Sequence, residues 1–534
     1  MLLDGGQWHR YRLPKASHSY DGAHGWNTEW PRVRDIGEGD ADWLMTMHGT
    51  FWRFPKTFSA ANSAGIAPRS SYLKVVGDFC RWGDRVVLGC DDAARSEFLN
   101  KRRAKGEVAP PQSQSNLWFL RPEQFDQLGP VLARGAVWLN DEVAGGQASD
   151  PYLFAGFRRR ALHLAQAGNA GFAIEIDRNG TGSWEPYCEI EAKPYQWIEF
   201  PDDQPGVWIR LQPDAASQAV TAWFTGAGPD NRAAQAHPAL FDGVARIGES
   251  NATGGLVRAR DGGERTLQFA AWNAEEDLGA YELGADMKLR PAADPADFAW
   301  LREHAGIPPR DGVIEEDAAS VIYVDDQGKR FRLPRAGTGL PSGRLCREVA
   351  TERDLFHCAG TFFELPAENA AGFARVRPVA SHDLAISDYC SYRGLLVMSG
   401  VSAGTTSENR HIIRSEDGRA ALWVGAIDDL WTLGKPVGTG GPWQDTAVRA
   451  ATASDPYLMT GYDRKTLRLS ADHPAAISAE IDLTGTGVWQ PWKEFALTKP
   501  GETVTYEFPS SLQAYWIRFI SSKDATVTAQ LDYR

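Results

Sequence analysis

Most of this chain is written twice. The stretch SDPYLFAGFRRRALHL at residues 149–164 recurs as SDPYLMTGYDRKTLRL at 454–469, and IDRNGTGSWEPY at 176–187 recurs as IDLTGTGVWQPW at 481–492. Both pairs, and NLWF at 116–119 against ALWV at 421–424, are separated by 305 residues. Upstream the offset grows, so that RYRLP at 10–14 matches RFRLP at 330–334, and the first copy carries insertions between Pro14 and Trp118. Residues 226–315 have no second copy. A fixed internal period restricts the architecture before any single residue is weighed, because each copy must be a unit that folds the same way twice.

Within each copy the hydrophobic period is two. DWLMTMHGTFWRFP, SYLKVVGDFCRWGDRVVLGC, AGFAIEID, GVWIRL and QAVTAWF are short runs rich in aromatic and β-branched residues, punctuated by Gly, Asp, Asn and Pro. One helix is expected, over 295–306, where PADFAWLREHAG spaces its apolar residues by three to four and ends in Gly. Many short strands in a duplicated chain predict an all-β fold, a β-propeller of about seven four-stranded blades. On this reading 1–225 and 316–534 each give three blades, and the unmatched 226–315 gives one more plus the short helix. Two β-sandwiches are the alternative, since 150–225 alone offers about seven strands. In the propeller, HRYRLP reads as part of a blade whose outer strands are missing, and the C-terminal ATVTAQLDYR is expected to supply one and close the ring.

Composition removes several classes of function. A net charge of −13 gives no basic face for nucleic-acid phosphates. No apolar run reaches the roughly 18 residues of a membrane helix. The six cysteines show no metal-ligand spacing, and no cofactor is implied. There is no G-x-S-x-G, H-E-x-x-H or P-loop. The start lacks the charged-then-apolar pattern of a signal peptide, which leaves a cytoplasmic chain or an exported one whose leader was removed. Nothing indicates the oligomeric state.

The functional clue is a difference between the copies. TMHGTFWRFP at 46–55 aligns with HCAGTFFELP at 357–366, and His48 meets Ala359. If DWLMTM and TFWRFP are the innermost strands of a blade, His48 lies on their junction. Loops 15–29 and 93–114, which also distinguish the first copy, are expected on the same surface. His48, with His24 or Glu29 assisting, would then be the acid/base group, since an imidazole titrates near neutrality. Trp26, Trp30 and Trp52 would offer flat faces to a sugar ring. Asn27, Arg32, Arg53, Lys101 and Arg102 would hold its polar groups, and arginine suits a carboxylate. Structural roles are the competing reading for each, and the DRNGTGSW turns read as structural.

With MHGTFW and its His48 in this setting, the chain resembles bacterial glycan-degrading seven-bladed propellers, the group of propeller α-L-rhamnosidases and rhamnose–glucuronate lyases. The resemblance implies a poly- or oligosaccharide substrate and a catalytic histidine. Three readings follow: a glycoside hydrolase acting next to a uronic acid, a polysaccharide lyase working by β-elimination, and a non-catalytic propeller that binds glycan or protein.

Overall fold

The alternating runs do form strands, and the computed structural model is all-β with a few short helices. It describes residues 1–17, 30–37, 42–91, 116–233, 238–260, 266–337, 344–350, 353–402 and 408–534.

The best-matched part of the duplication folds as two eight-stranded sandwiches. In the first, the strands in chain order are Leu132–Val143, Tyr152–Leu153, Arg159–Ala165, Phe172–Asp177, Trp184–Ile190, Tyr195–Phe200, Trp208–Pro213 and Ser217–Ala227. One sheet orders them first, eighth, third, sixth; the other orders them second, seventh, fourth, fifth. That is jelly-roll topology. Leu162, Leu164, Val220 and Phe224 of one sheet meet Ile174, Ile176, Ile209 and Leu211 of the other in a common core. The second copy repeats the same order with strands running from Gly438–Val448 to Ala525–Tyr533. The segments expected to be propeller blades are therefore sandwiches. Alternation alone could not show this, because the first strand of each unit pairs with its eighth, a pairing set by tertiary packing.

The C-terminal strand is also placed differently. Ala525–Tyr533 lies between Gly438–Val448 and Lys465–Ala471 in the second jelly roll, while the N-terminal strand Leu2–Asp4 pairs with Gln7–His9. It closes no ring with the N-terminus.

The rest of each copy forms small antiparallel sheets. Sheet I comprises Arg32–Arg34, Trp43–Met47, Thr50–Phe54 and Ala67–Ser71, and sheet II comprises Val76–Trp82, Arg85–Cys90 and Leu117–Leu120. The unmatched segment supplies sheet III (Ala252–Ala259, Leu267–Trp272, Asp277–Leu283, Leu289–Pro291) and the helix Ala296–His304. The second copy gives sheet IV (Cys346–Ala350, Arg353–Cys358, Thr361–Leu365, Arg377–Ser381) and sheet V (Tyr389–Tyr392, Leu395–Met398, Ile412–Arg414, Ala421–Gly425). Sheets I and IV join neighbours in chain order, as a blade does, and so do the four strands named for sheet III, to whose first strand Val401–Ser402 of the second copy is added.

Packing runs face to face in two parallel series. Sheet I sets Met45, Met47 and Trp52 against Leu153 and Trp208 of the first jelly roll, and Leu44 and Phe51 against Phe79 and Leu88 of sheet II. Sheet IV likewise lies between the second jelly roll and sheet V, and sheet V is covered in turn by sheet III. Sheet I buries both faces, so its strands lose the polar side that a half-exposed strand would show.

The two copies meet through buried polar contacts. The backbone N–H groups of Leu73 and Lys74 donate to the Asp428 carboxylate at 2.8 and 3.0 Å, and burial pushes that carboxyl up to about 6. Arg134 donates to Thr460 Oγ1 at 2.7 Å and Tyr515 Oη at 3.0 Å, and Arg159 pairs with Asp463. One duplicated ion pair is inverted: Asp42–Arg53 of sheet I is exposed, whereas its counterpart in sheet IV is Arg353–Glu364, fully buried and joined by Arg377.

Candidate functional site

His48 and Gly49 are the two central residues of a tight hairpin turn between Met47 and Thr50, with φ of 49° and 74°. Both angles are positive, as a type I′ turn requires. Ala359 and Gly360 repeat it with 47° and 75°. The scaffold therefore tolerates either side chain at the first position and uses Gly-Thr-Phe for the turn and the core. Gly49 C=O accepts from Tyr72 N–H and Gly360 C=O from His382 N–H, both at 2.8 Å. His48 is 6% exposed, so its imidazole is enclosed at the end of the sheet.

The other expected residues separate. Trp52 is 0% exposed, with its ring against Phe157 and its Nε1–H directed to Met47 C=O at 3.4 Å. It is a core residue and cannot be a sugar platform. The physical reason is that sheet I is covered on both sides, by sheet II and by the first jelly roll. Trp30 is 64% exposed, and Arg32 beside it donates to the Trp30 carbonyl at 2.7 Å. Arg53 is exposed and lies 3.8 Å from Asp42. His24, Trp26, Asn27, Glu29, Lys101 and Arg102 lie outside the described residues.

Arg32–Arg34, which follows the segment 15–29, is an outer strand of the sheet that carries the His48 hairpin. The anchor points meet at one end. Arg32 is paired with Thr46, Tyr72 N–H reaches Gly49, and Asp91 N–H bonds to Val75 C=O. Residues 30–32 and 90–91, which border the first copy's distinctive segments, thus lie at the His48 end of sheets I and II.

At the opposite end of sheet I is an open cleft that sequence reasoning missed, with a volume of about 550 Å³. Its aromatic lining is Trp8, Tyr11, Trp184 and Trp208, and its polar lining includes His9, Arg10, Ser63 and Asp150. Tyr11 packs on Trp208 with ring centroids 4.8 Å apart, and Arg210 covers Trp184 at 4.3 Å. Trp208 Nε1–H donates to Ser63 Oγ at 2.8 Å, which fixes the floor. Trp8 remains 65% exposed at the mouth.

Asp177 borders this cleft and holds the turn after it. Its carboxylate accepts N–H bonds from Asn179, Gly180, Thr181 and Gly182 at 2.7 to 3.2 Å. Asp482 repeats this with Thr484, Gly485, Thr486 and Gly487, and burial, the largest influence, raises its carboxyl despite those four donors.

In the second copy the corresponding space is filled. Phe331 packs on Trp516 at 4.9 Å, as Tyr11 does on Trp208, but Phe373 then stacks on Tyr323 at 3.8 Å and Lys329 Nζ sits 4.8 Å from the Phe331 ring. Trp516 Nε1–H donates to Ala374 C=O, the residue after Phe373; the residue before Ser63 is Asn62, which is exposed. Gly328 stands where the 320-residue offset puts Trp8. A comparison of Trp8 with Gly328 was the available sequence signal.

No protein-family model matches the chain, and no curated protein matches it by sequence. Among solved structures it is similar to the PBSX exported protein XepA at 7% identity, over 75% of this chain and 86% of that one, with a TM-score of 0.16. An exo-β-1,3-galactanase from Phanerochaete chrysosporium, with galactose, aligns at 7% identity over 95% and 96% of the two chains with a TM-score of 0.12. A glycoside hydrolase family 32 protein from Bifidobacterium adolescentis aligns at 8% over 74% and 99%, with a TM-score of 0.10. At these TM-scores the likenesses carry no argument about fold or activity.

Proposed function

We propose that the protein binds a poly- or oligosaccharide in the first-copy cleft, with a pyranose ring lying on Trp8 and Tyr11. The supporting observation is that one scaffold, built twice, leaves this aromatic floor open in one copy and plugs it with Phe373 and Tyr323 in the other. Ring faces set beside hydrogen-bonding side chains suit a sugar, which has an apolar C–H face and a hydroxyl rim. Isothermal titration against neutral and uronate-containing oligosaccharides tests the reading. Wild-type protein that binds none of them overturns it.

A second reading is catalysis at the His48 end: hydrolysis of a glycosidic bond next to a uronic acid, or β-elimination there, as the resemblance to propeller rhamnosidases and rhamnose–glucuronate lyases implies. The supporting observation is that both distinctive first-copy segments are anchored at that end. Most glycosidases use a carboxylate pair, and a histidine-centred site would be an exception. New ultraviolet absorbance from an unsaturated uronate would mark the lyase, reducing sugar without it the hydrolase. Binding without product would leave the first reading alone.

A further inference from the structure

The two copies differ at one sheet edge. In the second copy, Arg330–Leu333 has neighbours on both sides: Arg332 is joined in parallel to Tyr457, and Val321–Val324 pairs antiparallel on the other flank. Ile314–Glu316 then adds outside Val321–Val324. In the first copy, Arg12 makes the same parallel bridge to Tyr152: its N–H donates to Pro151 C=O at 2.8 Å and its C=O accepts from Leu153 N–H at 2.9 Å. Among the described residues the other flank has no strand. Leu2–Asp4 instead pairs with Gln7–His9 through a two-residue Gly5–Gly6 turn, with Leu3 opposite Trp8. In the second copy the loop is longer and Tyr323 comes opposite Phe331, the Tyr11 counterpart.

Strand geometry says which groups this leaves open. Backbone N–H and C=O groups alternate sides along a strand. With Arg12 turned toward Pro151 and Leu153, those of Tyr11 and Leu13 face the vacant flank, and they have no backbone hydrogen-bond partner among the described residues. Charge follows the same pattern. In the second copy Glu315 lies 3.3 Å from Arg330 and Asp317 2.8 Å from Arg332, both carboxylates supplied by the added strands and their link. In the first copy the ion pair of Arg12 among the described residues is with Asp150, and its side chain is 47% exposed against 10% for Arg332. Arg10 is exposed.

We propose that residues 10–13 form a docking edge for an extended, acidic segment of a partner polypeptide, which adds as a β-strand in the place that Val321–Val324 occupies in the second copy. Main-chain bonds to Tyr11 and Leu13 give such an edge its affinity, and alternate side chains give it specificity. Unpaired strand edges recruit other chains unless they are blunted. Here the two arginines select for carboxylates and against basic segments. The proposal concerns the backbone edge and stands independently of glycan binding on the ring faces.

The second copy's own sequence is the probe. A fluorescent peptide of residues 313–326, VIEEDAASVIYVDD, is titrated into the full chain and followed by anisotropy. Saturable binding is expected, weakened about tenfold or more by Arg10→Glu in the protein or by replacing the peptide's three EED carboxylates with amides. N-methylation of the peptide amides at the Val321 and Tyr323 positions should abolish binding, because those N–H groups face the edge. N-methylation at Ile322 or Val324, which face away, should leave most of it. Hydrogen exchange at the Tyr11 and Leu13 amides should slow when the peptide is present. No binding, equal binding of a scrambled peptide, or N-methylation effects that ignore this alternation would each overturn the proposal.

Discussion

Replacing Trp8 with Gly gives the first copy the residue that the 320-residue offset sets against it in the second, and it separates binding from folding. Trp8 is 65% exposed, so its loss should change unfolding free energy by only about 0.5 kcal/mol. Its contribution to binding follows from the area still open. A tryptophan side chain buries up to about 250 Å². With two-thirds of it open and one face covered by a sugar ring, on the order of 80 Å² leaves water on binding. At about 25 cal/mol per Å² this is worth about 2 kcal/mol, or about 30-fold in Kd. Isothermal titration with whichever oligosaccharide the wild type binds best, alongside urea unfolding of both proteins, measures both quantities. If the variant binds that sugar with unchanged affinity, Trp8 is not a platform and the cleft reading fails.

Other outcomes are expected. His48→Ala reproduces Ala359 and should stay within about 1 kcal/mol of wild type in unfolding, while any glycan-cleaving turnover should drop by roughly a hundredfold if His48 is the acid/base; full activity would end that assignment. Asp177→Ala strands four backbone N–H groups in the first jelly roll and should cost about 3 kcal/mol or more in denaturant unfolding; a loss below about 1 kcal/mol would contradict the turn's structural role. Burial holds the Lys465 ammonium down at about 7, so between pH 7 and 10 the unfolded chain binds a proton that the folded chain does not. Stability should therefore rise with pH across that window, with a slope approaching about 1.4 kcal/mol per pH unit, and Lys465→Met should flatten it in matched denaturation series.

What the sequence revealed was local. Period-two runs such as FAIEID and WIRL are strands, the 305-residue offset marks two like units, and the D-x-x-G-x-G turns are held by their own aspartates, as read. What it concealed depended on partners far along the chain. Leu132–Val143 and Ser217–Ala227 alternate as blade strands would, yet they pair across a whole jelly roll. Trp52 reads as a sugar platform beside His48, but the first jelly roll covers that face of sheet I and the indole lies in the core. At the candidate site, His48 stands out because Ala359 differs from it, while Trp8 does not, because the first eight residues match the second copy in no run of residue types. They do have a counterpart, in a hairpin with a different turn length, and alignment by residue type does not register a change of turn.

The inverted ion pair makes the two halves of the chain complementary instead of interchangeable. Asp42 and Arg53 of sheet I correspond to Arg353 and Glu364 in sheet IV, and of the two pairs the second is sealed from water and shared with Arg377. A duplicated gene whose halves remained alike could assemble as two first halves or two second halves from separate chains. With the signs exchanged, a sheet I placed in the sheet IV position would present Arg53, which cannot accept the hydrogen bond that Ser17 Oγ of the first copy donates to the Glu364 carboxylate. Like-with-like assembly is thereby penalised, and the chain keeps its halves paired as unequal partners, which frees one of them to change its surface while the other holds the scaffold.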